Sequence, residues 1–290
     1  MSFQRPVTEI IRQRYSCRSY RTTPIEPDKC ALITQAIAAL TAGPFGVPAR
    51  FKLVAATAQD RDALRGLGTY GFIRGAAAFM IGAAQTSEKS LEDFGYQMEN
   101  LILTATALGL GTCWLGGSFS RSSFSRRIAC ASHEIIPCVC ALGYPSEDHG
   151  TLDAGLRQRI GANERLPWES LFFDSGFGAP LARLQAGAYA TPLEMVRLAP
   201  SASNKQPWRI IQHQDRWHFY MQRTKGYREG WLTRLLGVAD MQRVDMGIAI
   251  SHFEQTAAEV GAKGHWQVSD PEFKPPDALT EYCISWIAES

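Results

Sequence analysis

Net charge is nearly absent from this 290-residue chain, in which 30 Lys and Arg face 28 Asp and Glu and leave +2. Such a balance offers no electrostatic footprint for nucleic acid or an anionic membrane, so a small or weakly charged partner is expected. Long apolar runs are missing as well. The longest, Ala76 to Ala84, is about half of the ~18 residues that suggest a membrane span, and it reads as a buried strand. No apolar signal-like stretch follows Met-Ser-Phe-Gln-Arg-Pro, which sets the expectation of a cytoplasmic protein. The cysteines, at 17, 30, 113, 130, 138, 140 and 283, are odd in number and contain no C-x-x-C pair. Reduced thiols fit that usage better than a disulfide framework, and Cys138 and Cys140 alternate about Val139 as residues of a sheet face do.

Catalytic signatures of several common kinds are absent too. His133-Glu134 is followed by Ile-Ile-Pro and lacks the second His of H-E-x-x-H, and no G-x-x-x-x-G-K-[ST] or G-x-S-x-G occurs. The six histidines show no metal-ligand spacing, so no metal is expected, and His252 reads as a packed or hydrogen-bonded side chain.

What the chain does contain is one pattern twice. Phe94, Met98, Leu101, Ala105 and Leu108 recur at helical spacing and line one face of a helix over 93–108. Met246, Ile250, Phe253, Ala257 and Val260 repeat it 152 residues later, and the same offset relates Asp93 to Asp245, Gly95 to Gly247, Gly109 to Gly261 and Trp114 to Trp266. Trp208-Arg-Ile-Ile answers Phe51-Lys-Leu-Val at an offset of 157, a difference that loops absorb cheaply. The shared glycines and tryptophan favour a duplication over a chance likeness of amphipathic helices. Between the copies, Asp174 to Pro180 is rich in Gly and Pro and breaks any regular pattern. The expected domains are therefore 1–173 and 181–290, joined by a linker at 174–180. Further expected elements are a helix ending near Tyr15, another over Leu32 to Leu40, strands at 51–57, 77–84 and 135–142, a hairpin of Trp208–His213 with Trp217–Met221, and a last strand near Tyr282 to Ile287. Each long helix carries an apolar stripe that needs a covering surface, and the other stripe is the expected cover.

Three separated segments carry the chemistry. Arg14, Ser16 and Arg18 alternate, so an extended stretch would turn them to one side; two guanidinium forks and a hydroxyl suit phosphate oxygens, although alone they read as a solvated basic face. Gly109-Leu-Gly-Thr-Cys-Trp-Leu-Gly-Gly117 follows the first long helix and is not G-x-G-x-x-G. Pro200-Ser-Ala-Ser-Asn204, followed by Lys-Gln-Pro-Trp, supplies small polar groups and backbone amides between two prolines; alone it reads as an ordinary Ser/Asn turn.

Together the three segments resemble the FMN-dependent nitroreductase superfamily over nearly the whole chain, in the manner of a single-chain subfamily with internal duplication. The resemblance implies an α+β nitroreductase-like fold. Its two tandem α/β/α units would form an intramolecular pseudo-dimer around the long helices, so a monomer is expected. It implies FMN held by Arg14, Ser16, Arg18 and Arg165 at the phosphate, with Arg74 as a further basic contact and Asn163 where a second basic residue is usual. It places backbone at Trp114, Leu115, Gly116 and Gly117 along the flavin, with an amide of Gly116 or Gly117 at N5. Pro200, Ser201, Ala202, Ser203 and Asn204 would reach the ring and ribityl chain from the other half. The implied activity is a ping-pong NAD(P)H oxidoreductase that passes hydride to a nitroaromatic, quinone or similar small acceptor and needs no catalytic side chain. A flavin-binding sensor or carrier, and a scaffold without flavin, are the alternatives. Gly43 to Arg50 lacks Ser and Asn at the equivalent loop, and the second half has no Arg-x-Ser-x-Arg, so one FMN per chain is expected.

Overall fold

The computed structural model describes residues 3–57, 60, 62–147, 161, 164–227 and 239–289. In the first half, α1 (Val7–Gln13) and α2 (Pro27–Ala38) precede β1 (Ala49–Ala55) and β2 (Ala78–Gln85). The long α3 (Ser90–Ala107) comes next, then β3 (Gly111–Leu115), α4 (Arg121–Ile128), β4 (Glu134–Ile135) and β5 (Val139–Gly143). The second half comprises β6 (Phe172–Asp174), α5 (Ala190–Leu198), β7 (Trp208–His213), β8 (Arg216–Gln222), α6 (Met241–Glu259), β9 (Gly264–Gln267) and β10 (Thr280–Ala288). The two sheets run β1-β2-β5-β3, with β4 beside β2, and β6-β7-β8-β10-β9. With the short β4 and β6 left aside, each therefore follows one unusual order, first-second-fourth-third, which a duplicated unit explains directly.

The helix ends repeat the same detail. Leu110 N–H reaches Ala105 O and Gly109 N–H reaches Thr106 O; 152 residues on, Ala262 N–H reaches Ala257 O and Gly261 N–H reaches Ala258 O. Gly109 and Gly261 both take left-handed φ, +80° and +76°, the conformation that closes a helix and costs glycine least.

The apolar stripes do not cover each other, contrary to the expectation from the sequence. Phe94 turns onto its own sheet, with its ring centroid 5.5 Å from that of Phe51 and its edge over Gly82. Phe253 likewise meets Phe219, Trp266 and Trp286 of its own sheet at 5.2–5.8 Å. A helix laid on a sheet must give that sheet its widest apolar face, so a narrower face is left for the other helix. There the two helices meet through small and polar residues. Gly95 lies against the Val244 carbonyl and Gly247 against that of Glu92, while Ser251 Oγ donates to Asn100 Oδ1 at 3.0 Å and His252 faces Glu99. Subtracting the repeat, residue 92 meets 95 and residue 99 meets 100 in both directions, the reciprocity of a two-fold interface.

Several boundaries move. The expected strand at 135–142 is broken into β4 and β5, whose pairings with β2 differ in register by one residue; Pro137 stands in the break and has no N–H for the ladder. β6, whose last residue is Asp174, pairs parallel with β7 and so extends the second sheet. Around this frame, α4 packs behind the first sheet, with Phe124 edge-on to Phe79 at 5.2 Å. α1 and α5 close the ends of the long helices through Val7, Ile10, Ile11, Leu103 and Met195. Among the described residues no helix is long and apolar enough to cross a membrane, and none of the seven cysteines is joined in a disulfide.

Candidate functional site

The loop after α5 is built by an aspartate from the helix beneath it. Asp245 on α6 accepts the Ala202 N–H at 3.0 Å, and the equivalent Asp93 on α3 accepts those of Phe45, at 3.0 Å, and Val47. Gly43 to Arg50 and Pro200 to Asn204 are thus the same loop in two copies. The Ala202 amide, expected to be open, is occupied by this contact. Burial pushes the Asp245 carboxyl well above the usual range, and its only resolved counterweight is the Ala202 N–H. The loop itself is strained, since Ser203, Asn204 and Gln206 all hold φ between +50° and +55°, where side chains other than glycine rarely sit. Ser201 Oγ accepts the Gln206 N–H at 2.9 Å, and Pro200 continues the chain from the buried Ala199.

Asn204 does not point outward. Its Nδ2 donates to Gly161 O at 2.7 Å and Glu164 O at 2.9 Å, and its Oδ1 accepts from Arg165 Nη1 at 3.3 Å. Arg165 Nη2 donates to Leu198 O at 3.2 Å, at the C-terminal end of α5. Burial first, then the charges of Arg14 and Arg197, pull the Arg165 guanidinium below its ordinary range. The charges of Arg14 and Arg197, from distant stretches, thus both reach Arg165, although Arg197 is itself paired with Glu194 at 2.6 Å.

Arg14 caps α1 in extended conformation, and its Nε and Nη1 are buried with no hydrogen-bond partner among the described residues. Enclosed guanidinium nitrogens beside a second guanidinium are costly unless an acceptor answers them. The next residues thread along the first sheet. Ser16 bridges Thr112 of β3, and Arg18 O accepts the Arg74 N–H at 2.9 Å. Arg74 itself is exposed. The structure thus brings Arg14, Arg165 and Asn204 to one place and sets Ser16, Arg18 and Arg74 along the adjoining strand. Asn163 lies outside the described residues. A cavity of about 50 Å³ beside Arg14, lined also by Thr106, Gly109 and Pro145, has room for water and not for a flavin ring.

At the end of β3, Leu115 is buried, Gly116 half-buried and Gly117 exposed. The space left by the missing side chain of Gly116 is filled by Met241 of α6, whose Sδ would stand 2.6 Å from a Cβ at that position. Cys138 Sγ also contacts that sulfur, at 3.5 Å, and burial pushes the Cys138 thiol far up, leaving it inert. Arg121 Nη2 donates to Gly116 O at 3.1 Å, which fixes the peptide plane before Gly117. Trp114 Nε1 donates to Glu99 Oε2 at 2.9 Å. Sequence reasoning missed Glu99, Met241, Arg121 and the loop-holding role of Asp93 and Asp245. Only the last pair had a signal, the repeat that matched them.

The family model described as "Putative TM nitroreductase" matches residues 6–257. A crystal structure of a putative nitroreductase from Thermotoga maritima aligns with 99% of this chain and 95% of its own at 20% identity and a TM-score of 0.60. A relative from Methanothermobacter thermautotrophicus, "Putative NADH dehydrogenase/NAD(P)H nitroreductase", is 28% identical over 158 residues, 51% of this chain and 81% of its own. A putative nitroreductase from Desulfovibrio desulfuricans, solved in complex with FMN, is 25% identical, covers 51% of this chain and 91% of its own, and has a TM-score of 0.40.

Proposed function

Because the chain belongs to the "Putative TM nitroreductase" family, an oxidoreductase family with a fold of two nitroreductase-like halves, we propose that it is an FMN-dependent NAD(P)H oxidoreductase acting on a small acceptor such as a nitroaromatic or quinone. The observation that carries this reading is the half-buried Arg14, whose enclosed Nε and Nη1 have no hydrogen-bond partner among the described residues and which acts on the charge of Arg165. A phosphate monoester carrying nearly two negative charges suits that pair. When bound, FMN would supply hydride transfer in two alternating half-reactions, first from the nicotinamide and then to the acceptor.

On this reading the chain binds and positions. Arg14 and Arg165 hold the phosphate, with Ser16, Arg18 and Arg74 nearby. Asn204 holds Arg165 and the Gly161 and Glu164 carbonyls in place, which makes it a positioning residue. Arg121 fixes the Gly116 carbonyl and with it the direction of the Gly117 amide, the donor assigned to the reactive edge of the flavin. Ser201, Ala202 and Ser203 border the site from the second half. No acid or base side chain is required. Only one such site is complete, because the loop that Asp93 holds carries Phe45 and Val47 in place of the Ser-Asn set, so one FMN per chain is expected, in a monomer.

Titration of apoprotein with FMN tests the proposal, with saturation at one flavin per chain and anaerobic bleaching by NADH or NADPH as the expected results. Failure to bind FMN, or binding of two, would sink the site. Binding without bleaching by either nicotinamide would make the protein a carrier or sensor.

A further inference from the structure

At the crossing of α3 and α6 lie two ionisable side chains that no step above uses. Glu99 and His252 are fully buried, one from each half, with His252 Nε2 2.9 Å from Glu99 Oε1. His252 Nδ1 lies 2.9 Å from Met195 O, and Glu99 Oε2 accepts from the Trp114 indole.

The partners settle where the protons are. Met195 O can only accept, so Nδ1 of His252 carries hydrogen. The indole can only donate, so Oε2 of Glu99 accepts. One proton then remains for the contact between Oε1 and Nε2, on the carboxyl or on the ring, and the pair is neutral overall in either form. All four groups are satisfied, which a buried polar chain requires if it is to hold shape. Its ends are also informative. One is the α5 backbone at Met195, three residues before Leu198, whose carbonyl binds Arg165. The other is Trp114, two residues before Gly116. The duplicated indole, Trp266, is tied in the same way to a carboxylate of its own half, Glu254, at 2.9 Å, which pairs across the halves with the Tyr96 hydroxyl where Glu99 pairs with an ionisable histidine. Glu99 and Arg14 also act on the same buried thiol, that of Cys140, which places the chain close to the arginines.

We propose that Glu99 and His252 are positioning residues that lock the end of β3 to the second half, fixing Trp114 and so the Gly116–Gly117 backbone in the geometry that receives the cofactor. The proposal rests on the flavin reading, and one of its tests does not. In 15N-labelled apoprotein the Trp114 Nε1–H resonance should be displaced from the free-indole position, and Glu99→Leu should return it there. Glu99→Gln can accept from the indole through Oε1 and donate to a neutral His252 through Nε2, so it should leave the resonance displaced. In FMN titrations, Glu99→Leu should weaken binding about tenfold, the effect of losing a buried hydrogen bond, and Glu99→Gln should restore it.

If Glu99→Leu does not fold, Trp114→Phe removes the same donor at a half-buried position and should weaken FMN to a similar extent, with an altered visible circular dichroism of the bound flavin. Unchanged affinity and flavin dichroism in these variants would overturn the proposal, as would an indole resonance indifferent to Glu99. A wild-type protein that binds no FMN yet shows the displaced resonance would leave the lock standing and remove its flavin role.

Discussion

Gly95 and Gly247 sit against each other's helix backbone at equivalent places, so that a Cβ on either would overlap a main-chain carbonyl, of Val244 in one case and of Glu92 in the other. A side chain could yield; a buried carbonyl in a helix cannot without moving the helix. Gly95→Ala and Gly247→Ala should each destabilise the protein by about 2–4 kcal/mol, read as a lower midpoint in chemical denaturation. Gly109→Ala, where no atom lies within 4 Å, should cost only the strain of a left-handed alanine, about 1 kcal/mol.

Arg14 separates binding from stability. Its enclosed Nε and Nη1 have no hydrogen-bond partner among the described residues, so Arg14→Met should leave the apoprotein about as stable as the wild type, since those nitrogens give up no hydrogen bond. The same change should weaken FMN by about 10–100-fold. Calorimetry on apoprotein and holoprotein measures both, and a loss of apoprotein stability without a loss of affinity would contradict the role given to Arg14.

Asp93 is pushed up to about 6 by burial, against which the N–H groups of Phe45 and Val47 pull it down. The folded value lies above the unfolded one, near 3.9, so the folded state binds the proton more tightly. The resulting stability is complete below about pH 4 and is lost as pH rises through about 6, a change on the order of 3 kcal/mol at most. Asp93→Asn cannot titrate, so the slope of unfolding free energy against pH should flatten over that window.

Glu134 has the opposite sign. Hydrogen bonds from Arg50, at 2.6 and 2.8 Å, and the Ala131 N–H hold its carboxyl down at about 2. Stability from this pair is present above the unfolded pKa of about 4.3 and fades as pH falls toward 2. Arg50 is half exposed, so the effect is modest, and Glu134→Gln should lower stability slightly at pH 7 and converge on the wild type as pH falls toward 2.

The fold was legible to an unusual degree because duplication writes every constraint twice. Asp93 with Asp245 and Gly109 with Gly261 each marked a local rule, a loop held from below or a helix closed by left-handed glycine, and local rules survive in spacing. The stripes were read correctly as buried and wrongly as mutual cover. Periodicity reports that a face is apolar and carries no label for the surface that covers it. The site was legible where side-chain type decides, as at Arg14 and Arg165. It was not legible where occupancy decides, as at Asn204, whose amide is spent on Gly161 and Glu164, and at Gly116, whose open flank Met241 fills.

The order of residues alone determined that two copies of one unit are present, that only one copy carries the Ser-Asn loop, and that only the other carries the leading arginines. Those are matters of composition and offset, and no folding can alter them. Tertiary structure decided which helix face meets which neighbour, that Glu99 of one half finds His252 of the other, and that Arg14 and Arg165 come within reach of each other's charge. Each of these depends on contacts between residues of separate elements, whose distances follow from how two sheets and two helices share one interior and are written in no local stretch of sequence.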